Sequence, residues 1–375
     1  MKLITMKLYQ KVLSLLVLPV LLLSCGGSDK PDNGGDPGSG GGSGTEPQPT
    51  LTTKVADHTT EVLQALKKAG VDVKWIQIGN ETRSGMLWDA GKIAWNGTSW
   101  TDASGKSYVQ LSNAGYDAAK KIYPSAKIIV HLNNAFDSGN AGWFDNFKKF
   151  GGKFDMIGLS HYPMSESDWA ACNTNAITQI QALVNRFNCD VMITEIGVKK
   201  AQLETAKQCI EAFMTASRGI SRCVGAFYWE PEVDGVWKPA KYSSLGWNAY
   251  DMGAFGTDGK PTAILDCFKS VRDGWANGAD VSWVTEMEKD GKTFKDAEGK
   301  PKDLFVLLKE CGMQAVRLRV WVGPDGGWCN QDDTVAKAKR AKAAGLDVMI
   351  DFHYSDFFAD PGRQTLPAAW KNLSL

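Results

Sequence analysis

The chain has 375 residues, and its 42 Lys and Arg balance its 42 Asp and Glu, so the formal net charge at pH 7 is zero. This balance argues against a nucleic-acid surface or a polybasic membrane patch as the main function. Apolar residues make up 43% of the chain, which is enough for one large core, and the 14 Trp exceed what packing usually needs.

The first 24 residues have the pattern of an export signal. Three lysines precede the apolar run 12–23, which is too short to span a bilayer. The following Leu-Leu-Ser-Cys resembles the bacterial lipobox, so we expect cleavage before Cys25 and lipidation of that residue. An ordinary signal peptide with an incidental cysteine is the alternative. The prediction is an exported protein, held at the bacterial outer membrane, on the cell surface or the periplasmic face, through its lipid alone.

Residues 25–50 are rich in Gly, Ser and Pro and are predicted to form a flexible tether ahead of a domain that spans 51–375. That domain contains seven cysteines without a Cys-x-x-Cys pair, which indicates neither a zinc ribbon nor a complete disulfide framework. We expect most of them to be buried, and the sequence leaves one or two disulfides open.

One local unit recurs three times: an amphipathic helix ends at a glycine, two residues pass, and a β-rich run begins. The helix-ending residues are Gly70, Gly312 and Gly345, and the runs extend to Gly79, Val322 and Tyr354. The further predicted strands are Lys127–Leu132, Asp155–Ser160, Asp190–Glu195, Val224–Trp229 and roughly Gly278–Trp283, and the clearest intervening helices are Asn175–Phe187 and Leu203–Arg218.

Eight strands alternating with helices favour an α/β fold of the (β/α)8 TIM-barrel type over a doubly wound sheet, and no Gly-x-Gly-x-x-Gly turn follows any strand. In such a barrel the active site lies at the carboxyl ends of the strands. The polar and aromatic candidates at those ends are Asn80, Glu81, His131, His161, Glu195, Trp229, Glu230, Arg319, Asp351, His353 and Asp356. His58 is predicted on a surface helix without a role.

Two carboxylates are the best candidates for chemistry. Retaining cleavage of a glycosidic bond requires one carboxylic acid as proton donor and one carboxylate as nucleophile, about 5 to 5.5 Å apart. Glu81 and Glu195 at the mouths of two strands fit this requirement, with Asn80 beside a sugar hydroxyl and Arg319 keeping the nucleophile ionised. The competing interpretation is that each glutamate is a solvated or salt-bridged loop residue.

The aromatic and histidine side chains would complete a sugar-binding cleft. Trp88, Trp229 and Trp321 are predicted to be platforms for sugar faces, and packing is favoured for the other strand tryptophans. His131, His161 and His353 are expected to orient the carboxylates or bind hydroxyls. A barrel metal hydrolase is disfavoured because no His-x-His pair occurs on an early strand.

Several motifs resemble those of one enzyme family. They are Ile-Gly-Asn-Glu (78–81) with Gly-Met-Leu-Trp (85–88), Val-Arg-Leu-Arg-Val-Trp-Val (316–322), and Asp-Phe-His-Tyr-Ser-Asp (351–356) followed by Ala-Asp-Pro-Gly (359–362) and Gln364. Together they are similar to glycoside hydrolase family 53, the retaining endo-β-1,4-galactanases. Glu81 then matches the acid/base and Glu195 the nucleophile, on the family's fourth and seventh strands. Phe358 stands where the family usually has Trp.

The resemblance also implies a rearranged domain. Residues 51–272 are similar to the family's helix three through helix eight, whereas 278–375 are similar to strand one through the loop after strand three. The domain is therefore predicted to be circularly permuted, with strands one to three at its C-terminal end and Ser270–Asn277 joining the old ends.

The resemblance implies a monomeric enzyme that cleaves β-1,4-galactan by double displacement and requires no cofactor. A structural Ca²⁺, as in some bacterial relatives, has no assignable ligands here. Two alternatives remain. One is a related barrel enzyme that acts on mannan, xylan or glucan, and the other is a surface glycan-binding lipoprotein disarmed by the rearrangement.

Overall fold

Eight parallel strands close into a barrel in the computed structural model, which describes residues 49–163, 168–199, 201–248, 250–270 and 272–375. The strands are β1 (Val73–Ile78), β2 (Lys127–Leu132), β3 (Met156–His161), β4 (Asp190–Ile196), β5 (Cys223–Trp229), β6 (Ala276–Asp280), β7 (Ala315–Val320) and β8 (Asp347–Phe352). Each strand pairs with the next along the chain, and β8 pairs with β1. The predicted (β/α)8 barrel is confirmed. The predicted signal and Cys25 lie outside the described residues.

Helices fill most of the connections between the strands. They are α1 (Leu51–Lys68), α2 (Asp102–Ile122), α3 (Asn140–Lys149), α4 (Trp169–Phe187), α5 (Leu203–Arg218), α6 (Ala240–Ser244), α7 (Val284–Lys289), α8 (Leu304–Glu310) and α9 (Gln331–Ala343). The three predicted glycine stops are confirmed. Gly70, Gly312 and Gly345 have φ of 72°, 96° and 72°, and their amides donate to carbonyls of the last helical turn.

The sixth predicted strand is displaced along the chain. It begins at Ala276 and ends at Asp280, whereas Trp283 already caps the start of α7. The carboxylate of Asp280 accepts from both the backbone and the hydroxyl of Ser282, so the chain turns out of the barrel immediately after this strand.

The barrel interior has an apolar lower part and a polar upper part. Ile129, Met192, Phe227 and Met349 form a separate buried cluster at the lower end, nearest the amino ends of the strands. A Cβ built on Gly278 would lie 2.2 Å from the Phe227 ring, so this glycine leaves the space that the ring occupies. The floor is thus apolar and closely packed, and the side chains that can take part in chemistry lie above it.

Helix α1 occupies the outer position that follows β8, although it comes first in the domain. It packs against α9 and α2, and the Leu51 amide donates to the Ser374 carbonyl at 2.7 Å. The helix that carries His58 is a surface helix, as expected, but the His58 side chain is on its buried face. His58 falls on the buried stripe of α1, 9% exposed, where it packs edge-on against Phe352 and Trp370.

All seven cysteines in the described part of the domain are free, and every one except Cys172 is buried, as expected for small apolar residues. No disulfide of the kind that the sequence left open forms among them. Within the same described ranges, the longest apolar helical stretches still fall short of what a bilayer crossing requires.

Candidate active site

A cleft of about 500 Å³ opens at the carboxyl ends of the barrel strands. Its lining includes both candidate glutamates together with Asn80, Tyr162, Trp229, Arg317, Arg319 and His353. Parallel strands expose their carboxyl ends at one side of a barrel, so side chains from the ends of six different strands meet here. The cleft is therefore the place to test the predicted constellation.

Glu81 lies just beyond β1 at a sharp change of chain direction. Gly79 and Glu81 both have positive φ, 77° and 47°, which turns the glutamate side chain back over the barrel mouth. Its Oε1 accepts a hydrogen bond from the Ser160 hydroxyl at 2.7 Å. Burial, and next the charge of Glu195, raise the pKa of Glu81 to about 8, while Ser160 acts in the opposite direction. These surroundings favour the protonated form of Glu81 at neutral pH.

Glu195 reaches the cleft through an irregularity in β4. The pairing with β3 shifts by one residue between Ile193 and Glu195, which is a β-bulge. Strict alternation from the inward Met192 would turn Glu195 outward, and the extra residue in the bulge allows Glu195 to face inward. The β-bulge in β4 thus directs the side chain of the candidate nucleophile into the cleft.

The surroundings of Glu195 differ from those of Glu81. Arg317 Nη2 lies 2.9 Å from its Oε1, and the Tyr162 hydroxyl donates to its Oε2 at 2.7 Å. Burial raises the pKa of Glu195, and Arg317 and Tyr162 oppose that rise because they stabilise the carboxylate. Glu195 thus lies beside a cation, whereas Glu81 lies beside a neutral hydroxyl. This difference favours Glu195 as the ionised group and Glu81 as the acid.

Arg317 is the central cation of the site and is 1% exposed. Besides Glu195 it contacts Asp280 at 2.7 Å and Asp351 at 2.8 Å. Burial alone would lower the pKa of Arg317, but the charges of Asp351, Glu195 and Asp280 raise it overall. Its guanidinium also donates to Asn80 Oδ1 at 2.8 Å, which fixes the orientation of that amide.

A second buried network lies beneath Glu81. His131 Nδ1 is 3.0 Å from Asn80 Oδ1 and also 3.0 Å from Gln77 Nε2, and His131 Nε2 is 2.8 Å from Ser160 Oγ. Burial and the charge of Arg317 lower the pKa of His131 well below its ordinary value, so the ring is neutral. The predicted residues Asn80 and His131 therefore sit within hydrogen-bond reach of each other, below the cleft mouth.

Arg319 lines the cleft but does not perform the expected task. It pairs with Glu230 at 3.0 Å, and its guanidinium lies over the rings of Trp283 and Phe358. The expectation that Arg319 keeps the nucleophile ionised is wrong, because Arg317, two residues earlier and deeper in the barrel, makes that contact. Burial, moderated by Arg319, raises the pKa of Glu230 to about 8.

Two predicted cleft residues point elsewhere. His161 is the outward neighbour of the inward Ser160. Its ring stacks on Phe213 and its Nε2 bonds to Asn173, so it faces the helices. Trp321 is 1% exposed and packs on Phe357, which rules out a platform role.

Two other predicted residues lie outside the cleft lining. Asp356 accepts from the backbone amides of Gly323 and Ala368, so it joins two loops. The ring of Trp88 is covered by the Lys92 ammonium at 4.4 Å. Trp229 and His353 do line the cleft, and Trp229 meets the rings of Tyr162 and Tyr250.

Sequence reasoning missed the side chains that support the two glutamates. They are Gln77, Ser160, Tyr162, Asp280 and Arg317. Counting in twos back from each strand end would have found Gln77 and Arg317, because they share the inward face with Glu81 and Arg319. Ser160 is the neighbour of the chosen His161 and lies on the opposite face of β3. No comparable local signal marks Tyr162, which follows β3.

No three side chains of His, Cys, Asp or Glu lie close enough together to hold a metal ion in the ranges that the structure describes. The expectation of a structural Ca²⁺ gains no ligand set from these residues and stays a prediction, as does the expectation that no cofactor is required.

Comparison with known proteins gives a family match over most of the chain. The family model described as glycosyl hydrolase family 53 matches residues 46–268 and 276–375. An uncharacterized protein in the bgaB 5' region of Niallia circulans is 50% identical over 97 residues, 26% of this chain and 26% of that protein. An endo-beta-1,4-galactanase of Bacillus subtilis is 47% identical over 105 residues, 26% of this chain and 24% of that protein.

A third relative, the arabinogalactan endo-beta-1,4-galactanase of Thermothelomyces thermophilus, is 50% identical over 93 residues, 25% of this chain and 28% of that protein. The aligned part thus spans about a quarter of the length of the curated relatives that it matches.

Proposed function

This chain belongs to glycosyl hydrolase family 53, and from that premise we propose that it is a glycosidase that cleaves internal β-1,4 linkages of galactan with retention of configuration. Two of the related proteins described above carry names that include endo-beta-1,4-galactanase. The proposed substrates are pectic galactan and the β-1,4-galactan of arabinogalactan side chains.

The observation that carries the proposal is the asymmetry of the two cleft glutamates. Glu195 is paired with a guanidinium and accepts a phenolic hydrogen bond, and both contacts favour its carboxylate form against the rise in pKa that burial causes. Glu81 accepts one hydroxyl hydrogen bond, and burial and the charge of Glu195 raise its pKa to about 8. Retaining glycosidases need such a pair, one group ionised and the other protonated, at the same pH.

The first half-reaction follows from these protonation states. The Glu195 carboxylate attacks the anomeric carbon, and the bond from that carbon to the leaving oxygen breaks as Glu81 transfers its proton to that oxygen. A glycosyl ester on Glu195 results, and Glu81 is left as a carboxylate. In the second half-reaction Glu81 takes a proton from water, the water oxygen attacks the anomeric carbon, and Glu195 leaves as a carboxylate.

The remaining cleft groups fit substrate binding. Trp229 offers a partly exposed ring at the end of β5, beside Tyr162 and Tyr250, which suits the apolar face of a galactose unit. Asn80 and His353 line the same space and already hold protein partners, which fixes the directions of their remaining polar atoms.

The circular permutation and the lipid anchor are part of the proposal. Seven residues, 269–275, fall between the two parts matched by the family model, and they overlap the segment predicted to join the old ends. The hydrogen bond between Leu51 and Ser374 supports new ends that lie side by side. We infer export and attachment through Cys25 from the signal sequence alone.

Reducing-sugar release from purified β-1,4-galactan tests the proposal, with mannan, xylan and glucan as parallel substrates. Short galacto-oligosaccharides are the expected products. Glu195→Gln is expected to abolish turnover while galactan binding persists, because the amide keeps the shape of the side chain and loses the nucleophile. Release from xylan or mannan alone would assign a different substrate, and binding without release by the unaltered protein would assign a glycan-binding role.

A further inference from the structure

We propose that Ser160 and His131 form a positioning relay that sets the proton affinity of Glu81, so that one side chain serves first as acid and then as base. The inference rests on the proposed acid/base role of Glu81. Neither relay residue reaches the cleft surface, since both are fully buried. They act through Glu81 and are positioning residues rather than catalytic ones.

The relay holds Glu81 at two points. The Ser160 hydroxyl lies 2.7 Å from the carboxyl Oε1, and His131 Nε2 lies 2.8 Å from the same hydroxyl oxygen. The backbone amide of Glu81 donates to His131 Nδ1 at 3.3 Å. One imidazole therefore contacts the main chain of Glu81 directly and its carboxyl group through a single serine.

The proton positions along the relay follow from its neighbours. The Glu81 amide can only donate. Gln77 Nε2 is oriented as a donor because it also faces the Asp351 carboxylate at 2.6 Å and the Gly79 carbonyl at 3.2 Å, while Arg317 donates to Gln77 Oε1. Both donors face His131 Nδ1, so the neutral ring carries its proton on Nε2. That proton points to Ser160 Oγ, which leaves the serine proton for Glu81.

The competing acceptor beside Nδ1 is Asn80 Oδ1, at 3.0 Å. This oxygen already accepts from the Arg317 guanidinium at 2.8 Å, a charge-assisted bond that uses one of its two lone pairs, and Gln77 Nε2 lies 3.2 Å from it as a second donor. The tautomer with the proton on Nε2 therefore satisfies more of the buried donors in the network.

The chemical consequence concerns the two half-reactions. A hydroxyl that donates to Oε1 favours the carboxylate of Glu81 over the acid, and a histidine donor behind it strengthens that bond. This offsets part of the rise in proton affinity caused by burial and by Glu195. Without the relay Glu81 would still donate its proton, but it would remain protonated when the glycosyl-enzyme needs a base.

Ser160→Ala is the direct test, with kcat/KM measured against pH on a galacto-oligosaccharide. The basic limb, which reports loss of the Glu81 proton, is expected to move up by about one pH unit or more. At pH 7 kcat and KM are expected to fall together, because the glycosyl-enzyme accumulates. Ser217→Ala removes a buried hydroxyl from α5, away from the cleft, and is the control that leaves both readouts unchanged.

Two further variants distinguish a hydrogen-bonding role of His131 from a role in packing. Glutamine places an amide donor near the position of His131 Nε2, whereas asparagine places one near Nδ1. His131→Asn is therefore expected to shift the basic limb as Ser160→Ala does, and His131→Gln to shift it less. Equal shifts in the two, or a Ser160→Ala profile superimposable on the unaltered one in a folded protein, would overturn the relay.

A measurement without turnover keeps this inference apart from the proposed function. A ¹³C-carboxyl NMR titration, with the Glu81 signal assigned by its loss in Glu81→Gln, gives the pKa of that group directly. A higher pKa in Ser160→Ala supports the relay even if the protein releases no sugar from galactan. An unchanged pKa refutes the relay even if galactan hydrolysis is confirmed.

Discussion

Replacing Arg317 with methionine should destabilise the barrel and should also disfavour the carboxylate form of Glu195. The substitution keeps most of the side-chain volume and removes a guanidinium that contacts Asp280, Glu195 and Asp351 at 2.7, 2.9 and 2.8 Å. All four side chains are between 0 and 6% exposed, so water cannot take the place of the lost partner. Three buried carboxyl groups then share one cavity, where the Arg319 guanidinium, 3.8 Å from Asp280, remains as a more distant cation.

The size of the effect follows from that count. Breaking a buried ion pair from one side costs about 3–5 kcal/mol, because an uncompensated charge remains. The carboxyl groups can limit the cost to about that of one pair by taking up protons, so we expect about 3–5 kcal/mol at pH 8 and a smaller loss at pH 5. Arg317 also lowers the pKa of Glu195, so its removal should move the acidic limb of kcat/KM to higher pH.

Urea unfolding at the two pH values and a pH profile on galactan measure both effects. Lys337→Met is the matched control. Lys337 is a fully buried cation paired with Asp333 at 2.7 Å on α9, so its loss should cost stability without moving the acidic limb. A loss below about 1 kcal/mol in Arg317→Met at pH 8 would refute the electrostatic reasoning, and so would an acidic limb that stays in place.

Two further outcomes are expected. Because burial raises the pKa of Glu230 to about 8, the folded protein binds a proton there that the unfolded chain releases above about pH 4.5. The contribution of this proton to stability is therefore full below pH 4.5 and declines as the pH rises to 8. The melting temperature of the unaltered protein should fall over that pH window, and it should fall less in Glu230→Gln. An equally steep fall in the variant would contradict this. Placing residues 276–375 ahead of 51–268 through a short Gly-Ser link should give a barrel with the same near-UV circular dichroism and the same products, and a molten product would contradict the proposed permutation.

The strand number and the helix stops could be predicted from sequence because each depends on a local signal. A glycine at positive φ ends three helices, and a short β-rich run follows each one. The carboxyl ends of the strands then identify Glu81 and Glu195 without knowledge of packing. The two glutamates must also lie in one site, and the barrel fold ensures this because it brings the carboxyl ends of all strands to one side.

The supporting side chains could not be predicted because they depend on which way each residue faces. The bulge in β4 shifts the inward position to Glu195, and no sequence pattern marks it. His161 was chosen for its chemistry, and its outward direction follows only when Ser160 is known to face inward. Arg317 and Arg319 share the inward face, so only depth separates their partners, and depth is a property of the closed barrel.

In the proposed permutation the chain no longer runs from β8 through α1 to β1 without a break. The cleft therefore depends on side-chain contacts between the segment after β8 and the turn after β1. The segment after β8 forms part of the cleft wall and is tied to the Glu81 turn, because Asn80 Nδ2 donates to the Ala359 carbonyl and Gln364 Nε2 donates to the Asn80 carbonyl, both at 2.8 Å. These partners lie 279 and 284 residues apart in the sequence.

Residues 51–132 and residues 276–375 therefore lie at opposite ends of the domain sequence and must come together during folding. This long separation raises the entropic cost of the first contacts between β8 and β1. Once formed, the contacts are the same ones that an uninterrupted chain would make. The reordered variant should accordingly fold faster than the protein described here and should differ far less in the pH dependence of its activity, since the groups around Glu81 and Glu195 are unchanged.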